Sequence, residues 1–314
     1  MGTSISTIRP KRRRLSFLLT EGRTLRQQEA VLGWLLLTPV LLIIAVLLIW
    51  PFSSAIWISF TDKAVGRDGN WVGVSNYSHL ISSPRFRLAL QNSLTFTVVG
   101  VFFKYLLGML MALALNQAFR GRNLMRAFFL IPWILPGFVA YMTWRWLYDP
   151  LQGMLNHALI DLGIVDYPFA FLSSSDNALW WVTLAHVWRS FPFFGLAFLA
   201  GMQNIPQDQY EAAAMDGASV WQRFRDITLP GLRHVSLVVI LLGTIWTFNA
   251  FEPVYLLTQG GPSDATLVYT MLAFDLGLVR FNLGQASAVS VLMLPLLGLF
   301  IVILTTLMNR GDEE

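Results

Sequence analysis

An all-α integral membrane protein with six transmembrane helices is the fold class this sequence predicts, on three observations. Its 314 residues are 55% hydrophobic and only 13% charged, against about 25% charged in soluble domains. Mean hydropathy is +0.57. Six apolar segments, near residues 31–52, 92–116, 124–147, 177–202, 235–257 and 285–308, are each long enough to cross roughly 30 Å of hydrocarbon at about 1.5 Å per residue.

Residues 1–30 read as a basic tail carrying Arg9, Lys11, Arg12, Arg13, Arg14, Arg23 and Arg26. The apolar run that follows is too long for a signal peptide and no small-residue cleavage site ends it, so an uncleaved anchor is expected. Residues 31–310 then form a single membrane domain, with 311–314 as a second tail. Lys and Arg are divided fourteen to five between the two sides of the six segments. The positive-inside rule therefore predicts that both termini, and the polar stretch 204–232, are cytoplasmic. The outward loops, near 61–91, 148–176 and 258–284, are too short for a separate enzyme domain. Trp71 and Tyr77 are expected at headgroup depth, as interfacial aromatics.

Several function classes are excluded by composition. There is no cysteine, hence no disulfide framework and no thiolate chemistry. His79, His157, His186 and His234 are scattered without metal-site spacing, and the basic residues lie where topology places them rather than in a nucleic-acid patch. Pro132, Pro136, Pro192, Pro253 and Pro295 interrupt the spans. Each removes a backbone donor, and in lipid the freed groups must be met by neighbouring helices or a watered cavity. One such proline suggests a packing kink; five together favour a bundle with a path through it.

The stretch 204–232 is unusually ordered for a connection. Pro206 suits a first helical turn, and Asp208 and Glu211 place negative charge near the helix N-terminus. Tyr210 to Asp216 reads as a compact helix with a small-residue face at Ala212, Ala213 and Ala214. Gly217 ends it in the left-handed conformation. Ser219 and Gln222 form a capping box for a second helix with Val220, Phe224 and Ile227 on one face, stopped at Leu229 and Pro230. Residue physics leaves two readings open: a hairpin packed on its own membrane domain, or a docking surface.

In the fifth span, Asn249 and Glu252 are three apart and are expected to share a helix face with Trp246. A carboxylate inside a membrane span suggests a function by default. Carboxylate, amide and flat aromatic groups suit a polyol; the competing reading is that Glu252 pairs with Arg189 or Lys104 to hold the bundle. Phe248, Phe251 and Tyr255 are candidate lining, and Ser287 and Ser290 on the sixth span share a face.

The cytoplasmic stretch resembles the EAA loop of permease subunits of ATP-binding-cassette importers, with the pattern E-A-A-x3-G-x9-I-x-L-P. Glu211, Ala212, Ala213, Gly217, Ile227, Leu229 and Pro230 keep every spacing. Other stretches are similar to the sugar-type branch: W-V-G-V-S-N-Y from Trp71, I-P-W-I-L-P from Ile131, W-R-W from Trp144 with G-M-L-N from Gly153, and T-Q-G-G-P from Thr258. The short outward loops depart from the maltose-type subunit, which has extra spans and a large periplasmic insertion.

The resemblance implies a type I ABC importer permease fold with a cytoplasmic EAA coupling helix. Tyr210, Glu211, Ala212, Ala213, Asp216, Gly217, Ile227, Leu229 and Pro230 would then join the chain to an ATPase. It implies a heterodimer with a second permease subunit, two cytoplasmic ATP-binding subunits, and a periplasmic or lipid-anchored solute-binding protein, in the bacterial inner membrane. Asn249 and Glu252, with Phe248, Phe251, Tyr255, Ser287 and Ser290, would line the path of a sugar or sugar-like solute. The alternatives are another polar solute, such as a glycerol-phosphate or osmolyte, or a secondary transporter driven by an ion gradient. No G-x-x-x-x-G-K-[ST] loop is present, so this chain needs no cofactor, and ATP and Mg belong to the partner ATPase.

Overall fold

A computed structural model describes residues 25–309. The basic tail at 1–24 and the residues from 310 onward lie outside them, while 25–30 are already helical. The chain divides into two compact units, Met1–Trp57 and Ile58–Glu314.

In the first unit, α1 (Leu25–Ile44) continues through a wide π-helical stretch at Ala45–Ile49 into α2 (Trp50–Ser59). The resulting span, Glu29–Ser59, is longer at both ends than predicted. Trp34, Leu36, Leu47 and Trp50 are 65%, 66%, 66% and 73% exposed. A helix apolar all round has the composition of a membrane span.

The second unit begins with α3 (Ser75–Ser82), followed by α4 (Pro84–Asn116), which starts earlier than the predicted 92 because Pro84 opens a helix freely at its first position. The third span is not one rod. It consists of α5 (Arg122–Ile134) and α6 (Gly137–Leu147), bent by 91°. Leu135, before Pro136, is forced out of the helical region to ψ 134. After the short α7 (Met154–Asp161), α8 (Ala178–Gln203) matches the fourth predicted span to within a residue at each end.

The stretch 204–232 folds into α9 (Gln207–Met215), α10 (Val220–Arg223), a π-helical stretch at Phe224–Thr228 and α11 (Leu229–Gly231). The second helix therefore runs past Pro230, which occupies an opening position of α11 instead of stopping the run. A 65° bend leads into α12 (Arg233–Phe248). The fifth span, predicted to 257, ends there. Asn249 to Phe251 break it before α13 (Glu252–Leu257). The connection that follows contains α14 (Tyr269–Phe274), and α15 (Leu283–Asn309) is the last span. Among the described residues, four helices are long and apolar enough to cross a membrane, and six if each bent pair counts once.

Of the five prolines expected to interrupt spans, Pro132, Pro192 and Pro295 stay inside continuous helices. Pro136 marks the bend, and Pro253 sits in the first turn of α13, where its missing donor is no loss.

The most extensive helix pair is α4 with α8. Small residues let their backbones meet: a Cβ on Gly108 would lie 2.5 Å from Phe194 Cβ and 2.9 Å from the Gly195 nitrogen. One buried cluster, including Met109, Leu115, Phe198, Leu199, Leu232 and Val239, packs toward the 204–232 end. Another, including Phe96, Tyr141, Tyr148, Phe248, Leu267 and Tyr269, packs toward the opposite end. There Asn92 Nδ2 donates to the carbonyls of Ala265 (3.1 Å) and Leu267 (3.0 Å), and Arg85 forks onto Asp264 at 2.7 and 3.0 Å, pinning the T-Q-G-G-P loop to α4.

Gly108→Leu should lower the thermal midpoint in detergent, with an overpacking cost of about 1–3 kcal/mol. Leu107→Ile, at a 38% exposed neighbouring position, should leave the midpoint nearly unchanged.

Candidate functional site

Two regions carry the residues singled out by the sequence. In the first, α9 ends in a paired backbone cap. Gly217 takes φ +82°, its N–H donates to the Ala214 carbonyl (3.2 Å), and the Ala218 N–H donates to the Ala213 carbonyl (2.9 Å). That is a Schellman motif. A Cβ on Gly217 would meet nothing within 4 Å, so glycine is required there by backbone conformation and not by space. Ser219 and Gln222 form the expected reciprocal box, at 3.3 and 2.7 Å. Pro206 stands one position earlier than expected, as the N-cap residue.

The helix is held from beneath. The Tyr210 hydroxyl meets Thr228 Oγ1 at 3.0 Å, and Leu232, with no exposed surface, packs over Gly201. Ile205, Phe224 and Leu229 join the same cluster. Glu211, Ala212, Asp216, Gly217 and Pro230 stay exposed; Ala213 and Ile227 are half-buried. Met215, Val220 and Trp221 are 89%, 75% and 65% exposed. The hairpin is anchored at its base while α9 itself has no buried residue.

The second region is a cavity of about 250 Å³ walled by α4, α5, α6, α8, α12 and α13, where Lys104, Tyr141, His186, Arg189, Trp246 and Glu252 converge. Asn249 and Glu252 do not share a helix face. Pro253 could not continue α12 without losing the bond to the Asn249 carbonyl and clashing with it. Asn249 also turns its Nδ2 back onto the Ile245 carbonyl (2.8 Å), a side-chain bond that competes with helix continuation. The chain breaks, and Glu252 restarts it. Asn249 instead accepts from the Tyr269 hydroxyl and lines a separate cavity of about 310 Å³ with Thr270 and Ser290.

Glu252 does not pair with Lys104 or Arg189. Its carboxylate lies against Gly137, the first residue of α6, where a Cβ would fall 2.5 Å from Oε1 and 2.6 Å from Cδ. The positive end of a helix dipole favours a carboxylate there. At the far end of the same helix pair, Arg145 Nη1 donates to the Leu256 carbonyl (3.2 Å), so α6 and α13 run side by side. Phe251 lines the Glu252 cavity. Phe248, expected as lining, is 2% exposed and stacked on Tyr269 at 4.8 Å; it is core. Tyr255 stacks on Phe251 at 4.9 Å, and half-buried Ser287 borders neither cavity.

Tyr141 and His186 complete the cavity wall, and Gly137 seats Glu252; none of the three was singled out in the sequence. The Tyr141 hydroxyl meets His186 Nδ1 at 2.8 Å, and nothing local in either helix announces that meeting.

A multi-span helical bundle with a polar cavity and an anchored, exposed helical hairpin has the build of a membrane transport subunit. The family model described as binding-protein-dependent transport system inner membrane component matches residues 104–311. The trehalose/maltose transport system permease protein MalF of Thermococcus litoralis is 37% identical over 283 residues, covering 89% of this chain and 94% of that one. The inner membrane ABC transporter permease protein YcjO of Escherichia coli is 34% identical over 276 residues, covering 87% and 92%. Among solved structures, a bacterial ABC transporter involved in the import of the acidic polysaccharide alginate superposes with TM-score 0.79 at 21% identity, covering 91% of this chain and 97% of that one. The chain belongs to the binding-protein-dependent transport system inner membrane component family. It is a permease subunit of an ABC importer, a transport component and not an enzyme.

Gly137→Val should lower the thermal midpoint by pushing Glu252 off the start of α6. In a Glu252→Ala background the same substitution should cost less than half as much, and additive shifts would exclude direct contact.

Proposed function

We propose that this permease moves a sugar or sugar-like solute inward across the bacterial inner membrane, driven by ATP hydrolysed on partner subunits. The observation that carries the reading is α9, a helix fixed at its base by Tyr210–Thr228 and Leu232 yet without a single buried residue. A hairpin meant only to pack on its own domain would bury that helix. Glu211, Asp216 and the small face of Ala212 and Ala213 fit a cleft on a cytoplasmic ATPase, and Gly217 fixes the exit from it. Ile227, Leu229 and Pro230 tie this joint to α12.

The reading places both termini and residues 204–232 in the cytoplasm, consistent with the Lys/Arg distribution. It pairs the chain with a different permease subunit in a heterodimer, two ATPase subunits and an extracytoplasmic solute-binding protein. A sugar-like solute is supported by the trehalose/maltose relative and by the cavity, where Glu252 faces aromatic walls from Trp133, Trp246 and Phe251. Asn249 and Ser290, on the neighbouring cavity, form a second stretch of the path.

Ala212→Arg tests the joint, because an exposed position tolerates the change in the isolated chain. Co-purification of the ATPase should drop at least tenfold, with the thermal midpoint of the permease unchanged. Undiminished ATPase binding and ATP-driven uptake would remove α9 from the coupling role.

A further inference from the structure

The membrane helices carry an unbalanced set of charges. Neither α4, α5, α6, α8 nor α12 contains an aspartate or glutamate. Three basic groups nevertheless reach one cavity from α4 and α8: Lys104, His186 and Arg189. The sole carboxylate on its wall, Glu252, lies at the start of α6 against Gly137 and pairs with neither cation.

Each basic group has donor capacity unspent. Lys104 is 2% exposed and donates to one neutral partner, Thr247 Oγ1, at 2.8 Å; an ammonium has three donors. The Thr247 hydroxyl in turn donates to the Gly243 carbonyl at 2.5 Å, which leaves its lone pairs for the lysine. Arg189 Nη2 reaches the Leu135 carbonyl at 3.3 Å, and its buried Nε has no partner among the described residues. His186, 7% exposed, spends Nδ1 on Tyr141, and its buried Nε2 has no partner. A buried cation is costly unless an opposite charge and hydrogen bonds meet it.

We propose that the missing opposite charge arrives on the solute: the cavity binds an acidic group, such as a carboxylate, sulfonate or phosphate, attached to the sugar. This rests on the import function proposed above and narrows its substrate class. Arg189 offers a planar fork suited to an oxyanion, Lys104 a point charge beside it, and His186 Nε2 a further donor in its Nε2–H form. Trp133, Phe193, Trp246 and Phe251 stand around them, apolar faces for the C–H side of a ring. Glu252 is then free to accept from sugar hydroxyls without quenching either cation.

The test is calorimetric titration of the assembled permease–ATPase complex in nanodiscs without the binding protein, which removes that protein's own selectivity. Glucose, glucuronate, a 6-sulfonated glucoside, glucose 6-phosphate and inorganic phosphate are the probes. At least one acidic sugar should bind at least tenfold more tightly than glucose. That preference should fall at least tenfold in Arg189→Gln and in Lys104→Gln, and persist in part in Arg189→Lys. If Lys104→Gln does not fold, the Arg189 pair decides alone.

Equal affinity for glucose and every acidic sugar would overturn the charge assignment, and so would a preference that survives loss of Arg189's charge. Inorganic phosphate binding as tightly as the best acidic sugar would overturn it too, by showing an anion site indifferent to the solute. ATP-driven uptake in the complete transporter separates the two levels. Uptake of neutral sugars with no acid preference leaves the sugar reading standing and removes only the charge. Failure to take up any sugar, neutral or acidic, removes both.

Discussion

The backbone crossing of α4 and α8 at Gly108 and Gly195 is the constraint on which the other placements depend. In lipid no hydrophobic effect drives helices together, so close packing of small residues must do it. The two glycines put the Gly195 nitrogen and the wall of Phe194 directly against α4. That contact fixes the relative height of the two helices. It thereby sets Lys104, one turn before Gly108 on α4, at the level of His186 and Arg189 on α8, where all three reach one cavity. A larger residue at the crossing would separate the helices and disperse the basic cluster.

Around this pair the chain is shaped by two interruptions that meet each other. The 91° bend at Pro136 ends α5 and presents the start of α6; the break at 249–251 ends α12 and presents the start of α13. Glu252 at the second start lies on Gly137 at the first. Either break alone would leave backbone groups at membrane depth to be satisfied. Together they bring a carboxylate to a helix N-terminus, so that each interruption stabilises the other.

Much of this was legible in sequence because it depends on local rules. The spans at α8 and α15, the αL glycine at 217 and the Ser219 capping box each follow from a few adjacent residues, and they stand where periodicity and capping chemistry put them. The polar face of the fifth span was not legible. Helical spacing placed Asn249 with Glu252, but the choice between a kinked helix and a broken one turns on whether Gly137, over a hundred residues away, offers the carboxylate a better position. Phe248 illustrates the same limit: its aromatic ring resembles those of Phe251 and Tyr255 in sequence, and only the stacking of Tyr269 from a later element makes it core. Tyr141 and His186 were invisible for the reason that makes them interesting, since they meet between helices.

The geometry also constrains how an event at α9 can reach the cavity. Leu232, buried over Gly201, ends the anchored hairpin, and α12 begins at the next residue. That helix runs sixteen residues to Phe248, roughly 24 Å at the usual rise. It contains no proline and no π-helical stretch, unlike α5, α8 and α15, which each hold a proline. In the coupling scheme proposed above, a displacement passed across the 65° bend at Leu232 would be carried along α12 without an interruption of the helix. After the bend at Leu232, the next interruption is the break at Asn249–Phe251, beside Glu252. In that scheme an uninterrupted helix would concentrate movement at this break, which carries the carboxylate of the cavity wall.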